Sequence, residues 1–130
     1  MIRAMLKSIF LSTLIGSALL MLACSPHRGS HQRVHTDEFA LLITDTLILR
    51  VDVRTPEEYA QGHIPGAINI DVLKEDFLSQ ALSVLPQNQT VALYCASGKR
   101  SRKAARMLAK HGYNVVELKG GYQKWKNSQR

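Results

Sequence analysis

Short apolar runs alternate with helical spacings along most of the chain after residue 36. The runs are rich in branched residues and predict strands at 47–53, 67–70, 91–94 and 115–118. Apolar residues spaced three or four apart predict helices at 36–42, 55–59, 71–85, 101–111 and after Gly121. This alternation predicts an α/β fold with a mainly parallel central sheet and helices on both faces. Such sheets bind ligands at the carboxyl ends of their strands.

Two of the predicted helices have clear boundary signals. Thr55 and Glu58 have the spacing of a capping box, with Pro56 at the first helical position. In 71–85 an apolar residue recurs every fourth position, which predicts one amphipathic helix that ends before Pro86. The positions expected to be buried in that helix are Leu73, Phe77, Ala81 and Leu85.

The first 23 residues have the pattern of an export signal. Arg3 and Lys7 precede an apolar run at 9–22, which is shorter than the roughly 20 residues that a membrane span needs. An uncleaved N-terminal anchor is the alternative. Residues 21–24 resemble a bacterial lipobox, in which Cys24 would be lipidated and become the first mature residue. We therefore expect an exported protein of the periplasm or cell envelope, lipid-anchored to the membrane and, in a Gram-negative organism, to the outer membrane.

Residues 24–35 are polar and lack an apolar period, which predicts a linker between the lipidated cysteine and a folded domain at 36–127. His27, His31 and His35 are spaced four apart and would align as metal ligands on a helix. Pro26 and the Gly29–Ser30 pair argue against a helix there. We therefore expect a solvated linker and no metal site.

The length and charge limit the classes of partner. A chain of 130 residues has room for one domain, and Arg3 and Lys7 of the export signal account for two units of its +7 net charge. A cationic cluster lies at 99–110, but no aromatic residues alternate with it to stack nucleic acid bases. The location favours a small anionic substrate and no nucleic acid. The alternative is that most of these cations form the solvated face of a helix.

The strongest chemical signal is Cys95, which directly follows an apolar strand and precedes a small basic loop and a helix. The first N–H groups of a helix have no intrahelical partner and carry the positive end of its dipole, so they favour an anionic sulfur. Lys99 and Arg100 add positive charge. Gly98 would supply a positive φ, and a side chain there could block a substrate. If Cys24 is lipidated, Cys95 is left as a lone nucleophilic thiol.

The loop Cys-Ala-Ser-Gly-Lys-Arg-Ser at 95–101 resembles the active-site loop of the rhodanese family. Two further segments resemble the family's signatures in the right order. They are Val-Asp-Val-Arg-Thr-Pro-Glu-Glu-Tyr at 51–59 with Gly-His-Ile-Pro-Gly-Ala at 62–67, and Leu-Lys-Gly-Gly-Tyr at 118–122 with Trp125. Together the segments cover roughly residues 36–126.

The resemblance implies a sulfurtransferase with a rhodanese-like domain. Cys95 would take the outer sulfur of an anionic donor, thiosulfate in the first place, and hold it as a persulfide for transfer to cyanide or a thiol. Mercaptopyruvate is the alternative donor. The loop would bind the donor through Ala96, Ser97, Gly98, Lys99, Arg100 and Ser101. Asp52 and Arg54 would support the site, the alternative being a surface ion pair. The resemblance implies that His63 belongs to a structural turn and does not act as a general base. It implies no cofactor.

Other functions fit the same cysteine. Cysteine phosphatases and arsenate reductases need five residues between cysteine and arginine, but Arg100 comes after four and Ser101 holds the five-spaced position. A thiol oxidoreductase would need a second cysteine at position 98, which is Gly. A persulfide carrier without turnover, or a binding module tethered to the envelope, would use Cys95 in the same way and stays open.

Overall fold

A computed structural model describes residues 28–130 as strands and helices in alternation; the predicted export signal and Cys24 lie outside the described residues. The strands are Ser30–Val34 (β1), Leu49–Asp52 (β2), Ile68–Asn69 (β3), Val91–Tyr94 (β4) and Asn114–Leu118 (β5). The helices are Thr36–Leu42 (α1), Pro56–Ala60 (α2), Phe77–Val84 (α3), Lys99–Lys110 (α4) and Gly121–Ser128 (α5).

The five described strands form one parallel sheet in the order β1-β5-β4-β2-β3. Strand β4 lies at its centre, and all four of its residues are buried. The carboxyl end of β4 is therefore enclosed between the neighbouring strands β2 and β5. The predicted α/β fold with a parallel sheet is confirmed.

Side chains of β4 alternate between the two faces of the sheet. Val91 and Leu93 join a core cluster with residues of α3 and α4. Ala92 and Tyr94 join a second cluster with residues of α1 and α5. This period of two is expected for a strand buried on both sides, and it confirms helices on both faces. Among residues 28–130, no helix has the length and apolar character needed to cross a membrane.

The linker predicted at 24–35 is wrong for its second half. Ser30–Val34 form β1, which pairs with β5 in register from Ser30 opposite Asn114 to Val34 opposite Leu118. Only Val34 of this edge strand is buried, so the strand shows no apolar alternation by which to recognise it. The sheet therefore begins before the domain boundary predicted at residue 36.

The helix predicted at 71–85 is also shorter than expected, since α3 begins at Phe77. The Asp71 carboxylate accepts a hydrogen bond from the backbone N–H of Leu73 at 2.9 Å, which closes a turn. Leu73 is 64% exposed, whereas Phe77, Ala81 and Leu85 are buried as predicted. The turn closed by the Asp71 side chain thus takes the place of helix in the first part of this segment, despite its apolar period.

Candidate active site

Cys95 lies directly after β4 and is a free cysteine with 1% of its surface exposed. The backbone N–H of Gly98 donates a hydrogen bond to its Sγ at 3.1 Å. The Ser101 hydroxyl oxygen lies 3.4 Å from the same sulfur. The loop therefore curls back over the sulfur.

The N-terminus of α4 faces this loop. The first i to i−4 hydrogen bond of α4 runs from the Arg102 N–H to the Gly98 carbonyl at 3.3 Å. The N–H groups of Lys99, Arg100 and Ser101 precede it and have no partner within the helix. Together with the helix dipole they make the loop favourable for a negative charge.

Gly98 has φ +103°, the left-handed backbone conformation predicted at this position. A Cβ there would lie 3.4 Å from the Gly120 backbone nitrogen and 3.7 Å from Glu117 Oε1. A side chain would thus point toward the connection between β5 and α5. The positive φ therefore explains why position 98 is a glycine. The need to leave room for a substrate does not explain it.

The start of α5 fixes the other side of the loop. The Tyr122 N–H donates to the Cys95 carbonyl at 2.8 Å, and the Gln123 N–H donates to the Ala96 carbonyl at 3.1 Å. These two bonds use N–H groups of the first helical turn, which have no intrahelical acceptor. The position of the nucleophile therefore depends on the closing segment of the chain.

An ion pair joins the loop to α2. Both terminal nitrogens of Arg100 donate to the Glu58 carboxylate at 2.7 Å, and Glu58 also accepts from the Thr55 N–H in the predicted capping box. The hydrogen bonds from Arg100 lower the pKa of Glu58 to about 2 despite partial burial. The same hydrogen bonds raise the pKa of Arg100. The charge of Arg100 is therefore neutralised by Glu58, whereas Lys99 is exposed to solvent.

The Glu58–Arg100 pair predicts a pH-dependent stability difference. The pKa of Glu58 is lowered from 4.5 to about 2. The ion pair's contribution to the free energy of unfolding is therefore fully present above pH 4.5 and is lost as the pH falls through about 2. Since the side chain is 34% exposed, we expect Glu58→Gln to cost about 1 kcal/mol at neutral pH. Urea denaturation of both proteins across this pH range measures the difference. The exposed Glu57→Gln is the matched control, and an equal, pH-independent cost in both variants contradicts the assignment.

Asp52 and Arg54 form a buried ion pair, so the alternative of a surface pair is wrong. Arg54 Nη2 lies 2.6 Å from Asp52 Oδ2, and their side chains are 6% and 0% exposed. Burial alone would lower the pKa of Arg54, but the hydrogen bond and attraction of Asp52 outweigh it and raise that pKa. Arg54 also donates to the Gly62 carbonyl at 2.7 Å and lies 4.3 Å from the Tyr122 ring centre. It thus connects β2 to the closing segment beside the loop.

His63 lies in a turn, as predicted. Its Nδ1 donates to the Tyr59 carbonyl at 3.0 Å, and its ring stacks on Tyr59 with 3.7 Å between centres. In the same turn the Ile64 N–H donates to the Tyr94 hydroxyl at 2.9 Å. These contacts give His63 a structural position.

A pocket of about 240 Å³ opens beside the loop. It is lined by Arg54, Glu58, Gln61, Gly62, Ala96, Tyr122, Gln123 and Lys126. Ala96 is a residue of the loop that lines this pocket, and the exposed Lys126 adds a positive charge to the lining. A larger pocket of about 610 Å³, bounded by Arg28, His31 and Arg106, includes no residue of the loop. The smaller pocket is therefore the better candidate for a reactant.

Most of the described part of the chain matches one known protein family. The family model described as a rhodanese-like domain matches residues 35–128. The chain belongs to the rhodanese-like domain family. Strand β1 precedes the matched region, so the sheet of this rhodanese-like domain includes a segment that the family model does not cover.

Curated relatives include sulfurtransferases. The chain is 46% identical over 71 residues to thiosulfate sulfurtransferase PspE of Escherichia coli (strain K12), covering 55% of this chain and 67% of the relative. It is 39% identical over 79 residues to a sulfurtransferase of Allochromatium vinosum, covering 60% of this chain and 71% of that protein. These rhodanese relatives support sulfur transfer as the general activity of this family member, with a sulfur donor and acceptor as partners.

Solved structures share the fold. A rhodanese-related protein from Thermoplasma volcanium superposes with a TM-score of 0.66 at 29% identity, over 75% of this chain and 92% of that one. A rhodanese-like domain protein from Staphylococcus aureus gives a TM-score of 0.64 at 34% identity, over 72% and 90% of the two chains.

Two acidic residues at the site were missed in the sequence. The local pattern indicates only a capping role for Glu58, because its bond to Arg100 crosses 42 positions. Glu117 lies fully buried and accepts a hydrogen bond from the Ser101 hydroxyl at 2.8 Å. A signal for Glu117 does exist, because it is the single charged residue in the apolar strand β5.

Proposed function

We propose that this protein is a thiosulfate sulfurtransferase that carries the transferred sulfur as a persulfide on Cys95. The observation that supports it most is the Gly98 N–H pointing at Cys95 Sγ from the head of α4. A sulfur held there is close to backbone donors and the positive end of a helix dipole. The E. coli relative, a thiosulfate sulfurtransferase, supports the choice of donor.

The reaction has two half-reactions. The Cys95 thiolate attacks the outer sulfur of thiosulfate, an S–S bond forms to Cys95, and the donor's S–S bond breaks to release sulfite. A thiophilic acceptor, cyanide or a thiolate, then attacks the outer sulfur of the persulfide. The new bond forms to the acceptor, and the electron pair of the S–S bond returns to Cys95 as thiolate. Electrons balance without an added oxidant, reductant, metal or organic cofactor.

The roles of the loop follow from charge and exposure. The N–H groups of residues 96–101 would bind the anionic persulfide and the donor's oxygens. The exposed Lys99 would pair with the negative charge of the donor. Arg100 would act chiefly by holding the loop to Glu58. The pocket beside Ala96 would admit the acceptor, with Lys126 and Arg54 in its wall. Mercaptopyruvate is also anionic, so kinetics with the two donors test the choice of thiosulfate.

Initial-rate kinetics test the proposal. With thiosulfate and cyanide as substrates, we expect thiocyanate to form over many turnovers and double-reciprocal plots to be parallel, because the two half-reactions share the persulfide enzyme. Mercaptopyruvate in place of thiosulfate tests the other donor. Binding of one equivalent of sulfur without turnover would contradict the proposed enzymatic activity and support a persulfide carrier.

We also propose that the mature protein is lipid-anchored in the bacterial cell envelope through Cys24. The support is the short basic head, the apolar run and the lipobox-like residues 21–24 in the sequence. Intact mass of the protein from membranes should show a mature chain that begins at Cys24 with added acyl chains, and Cys24→Ala should abolish them. An unacylated mature chain, or one that keeps residues 1–23, contradicts the proposal.

A further inference from the structure

A chain of three polar side chains leads from the nucleophile into the domain on the side of β5. Cys95 Sγ lies 3.4 Å from Ser101 Oγ, and Ser101 Oγ lies 2.8 Å from Glu117 Oε1. Both Ser101 and Glu117 have no exposed surface. The orientation of the Ser101 hydroxyl is therefore decided by these neighbours and not by water.

The carboxylate fixes the direction of both bonds. An ionised carboxylate has no proton to give, so Ser101 donates its single hydroxyl proton to Glu117. The oxygen of Ser101 then faces Cys95 with a lone pair. The contact between Ser101 and the sulfur is a hydrogen bond only when the Cys95 thiol keeps its proton and donates it.

The charge of Glu117 is held in place from β1. Arg33 Nε lies 3.1 Å and His31 Nε2 lies 3.0 Å from Glu117 Oε2. Among residues 28–130, the charged and titratable groups in contact with the Glu117 carboxylate are these two from β1, and the neutral Ser101 hydroxyl of α4 donates a hydrogen bond to it. Buried carboxylates require such partners. Both partners come from the strand that precedes the region matched by the family model.

We propose that Glu117 is a positioning residue that acts on Cys95 through Ser101 and favours the protonated, sulfur-free state of the nucleophile. The effect of Glu117 on Cys95 is opposite to that of the Gly98 N–H, which favours negative charge on the same sulfur. The Ser101 bond is lost when the thiol proton leaves to solvent, and it is absent in the persulfide, whose Sγ carries no proton. It forms again when the acceptor has taken the sulfur and Cys95 is reprotonated. Glu117 thus favours release of the sulfur over its retention.

This inference deepens the proposed function, since it concerns the thiol that would carry the sulfur, but its test needs no sulfur donor. The readout is the rate of Cys95 alkylation by iodoacetamide at neutral pH, followed in the full chain by mass analysis of the peptide that contains Cys95. Iodoacetamide reacts with the thiolate and releases iodide. Alkylation can therefore succeed or fail independently of thiosulfate turnover.

Glu117→Gln keeps the side-chain shape and supplies an amide donor, so the Ser101 hydroxyl is free to turn toward the sulfur. We expect about a tenfold faster alkylation, the effect of one hydrogen bond on the balance between thiol and thiolate. In a Ser101→Ala background the same change should have less than about a threefold effect, because the path through the hydroxyl is gone. An equal acceleration in both backgrounds, or a slower reaction of Glu117→Gln, overturns the proposal.

Ser101→Ala alone gives a second test that leaves the buried charge in place. If Ser101 accepts from the thiol, its loss should speed alkylation; if Ser101 donates to the thiolate, its loss should slow it, which overturns the proposal. Glu75→Gln is the control, since Glu75 is an exposed carboxylate that makes no hydrogen bond to Ser101 or to the active-site loop. Its alkylation rate should stay within about twofold of the parent protein.

Discussion

Asp52→Ala is expected to lower the free energy of unfolding by about 3–5 kcal/mol, because it leaves a buried guanidinium without its counter-charge. Arg54 makes three side-chain contacts of 3.0 Å or less to the Asp52 carboxylate, and both residues are buried. Its remaining hydrogen bond, to the Gly62 carbonyl, does not neutralise the charge. Urea denaturation of the purified protein measures the loss.

Two variants separate this cause from a general effect of substitution. Combining Asp52→Ala with Arg54→Met removes both charges and should recover at least about half of the lost stability. Glu75→Ala removes an exposed carboxylate and should change stability by no more than about 0.5 kcal/mol. A cost for Asp52→Ala as small as that of Glu75→Ala, or no recovery in the double variant, would mean that the pair does not stabilise the fold.

Gly121→Ala is expected to slow sulfur loading of Cys95 by about 100-fold, the usual consequence of displacing a reacting group by about 1 Å. The Cβ of an alanine at 121 would lie 2.5 Å from the Cys95 carbonyl oxygen and 2.6 Å from the carbonyl carbon and oxygen of Ala96. All of these are backbone atoms, so the active-site loop itself must move. The rate is measured by rapid mixing with thiosulfate and quantification of the persulfide.

Gly120→Ala is the matched control for this substitution. Gly120 and Gly121 both have positive φ, +84° and +62°, so an alanine at either position costs about 1–2 kcal/mol in backbone conformation. At Gly120, however, the three atoms nearest to the Cβ all belong to the flexible side chain of Lys124. We expect both variants to lose stability but only Gly121→Ala to lose most of its loading rate. Equal loss of rate in the two would contradict the role of α5 in positioning Cys95.

The central strand and the nucleophile could be predicted because the information is local. β4 is an apolar run buried on both faces, and Cys95, Gly98 and the start of α4 follow it within a few residues. Parallel sheets between layers of helices produce such runs, and helix termini follow simple rules. These features identified the strand-to-helix turn without reference to the rest of the chain.

The features that were missed depend on contacts between distant parts of the chain. β1 is a polar edge strand whose place is set by pairing with β5, about 84 positions away. The pairing of Arg100 with Glu58 changes the role expected for Arg100, and local sequence gave no sign of it. Glu117 was visible as a charge in an apolar strand, but its link to Cys95 requires knowledge of which face of α4 meets β5.

The central claim, that Cys95 carries the sulfur, is tested most directly by the intact mass of the protein after incubation with thiosulfate. We predict a gain of one sulfur atom per chain, which cyanide removes with release of thiocyanate and which is absent in Cys95→Ser. No gain in mass with a reduced and accessible Cys95, or an equal gain in Cys95→Ser, would contradict the account.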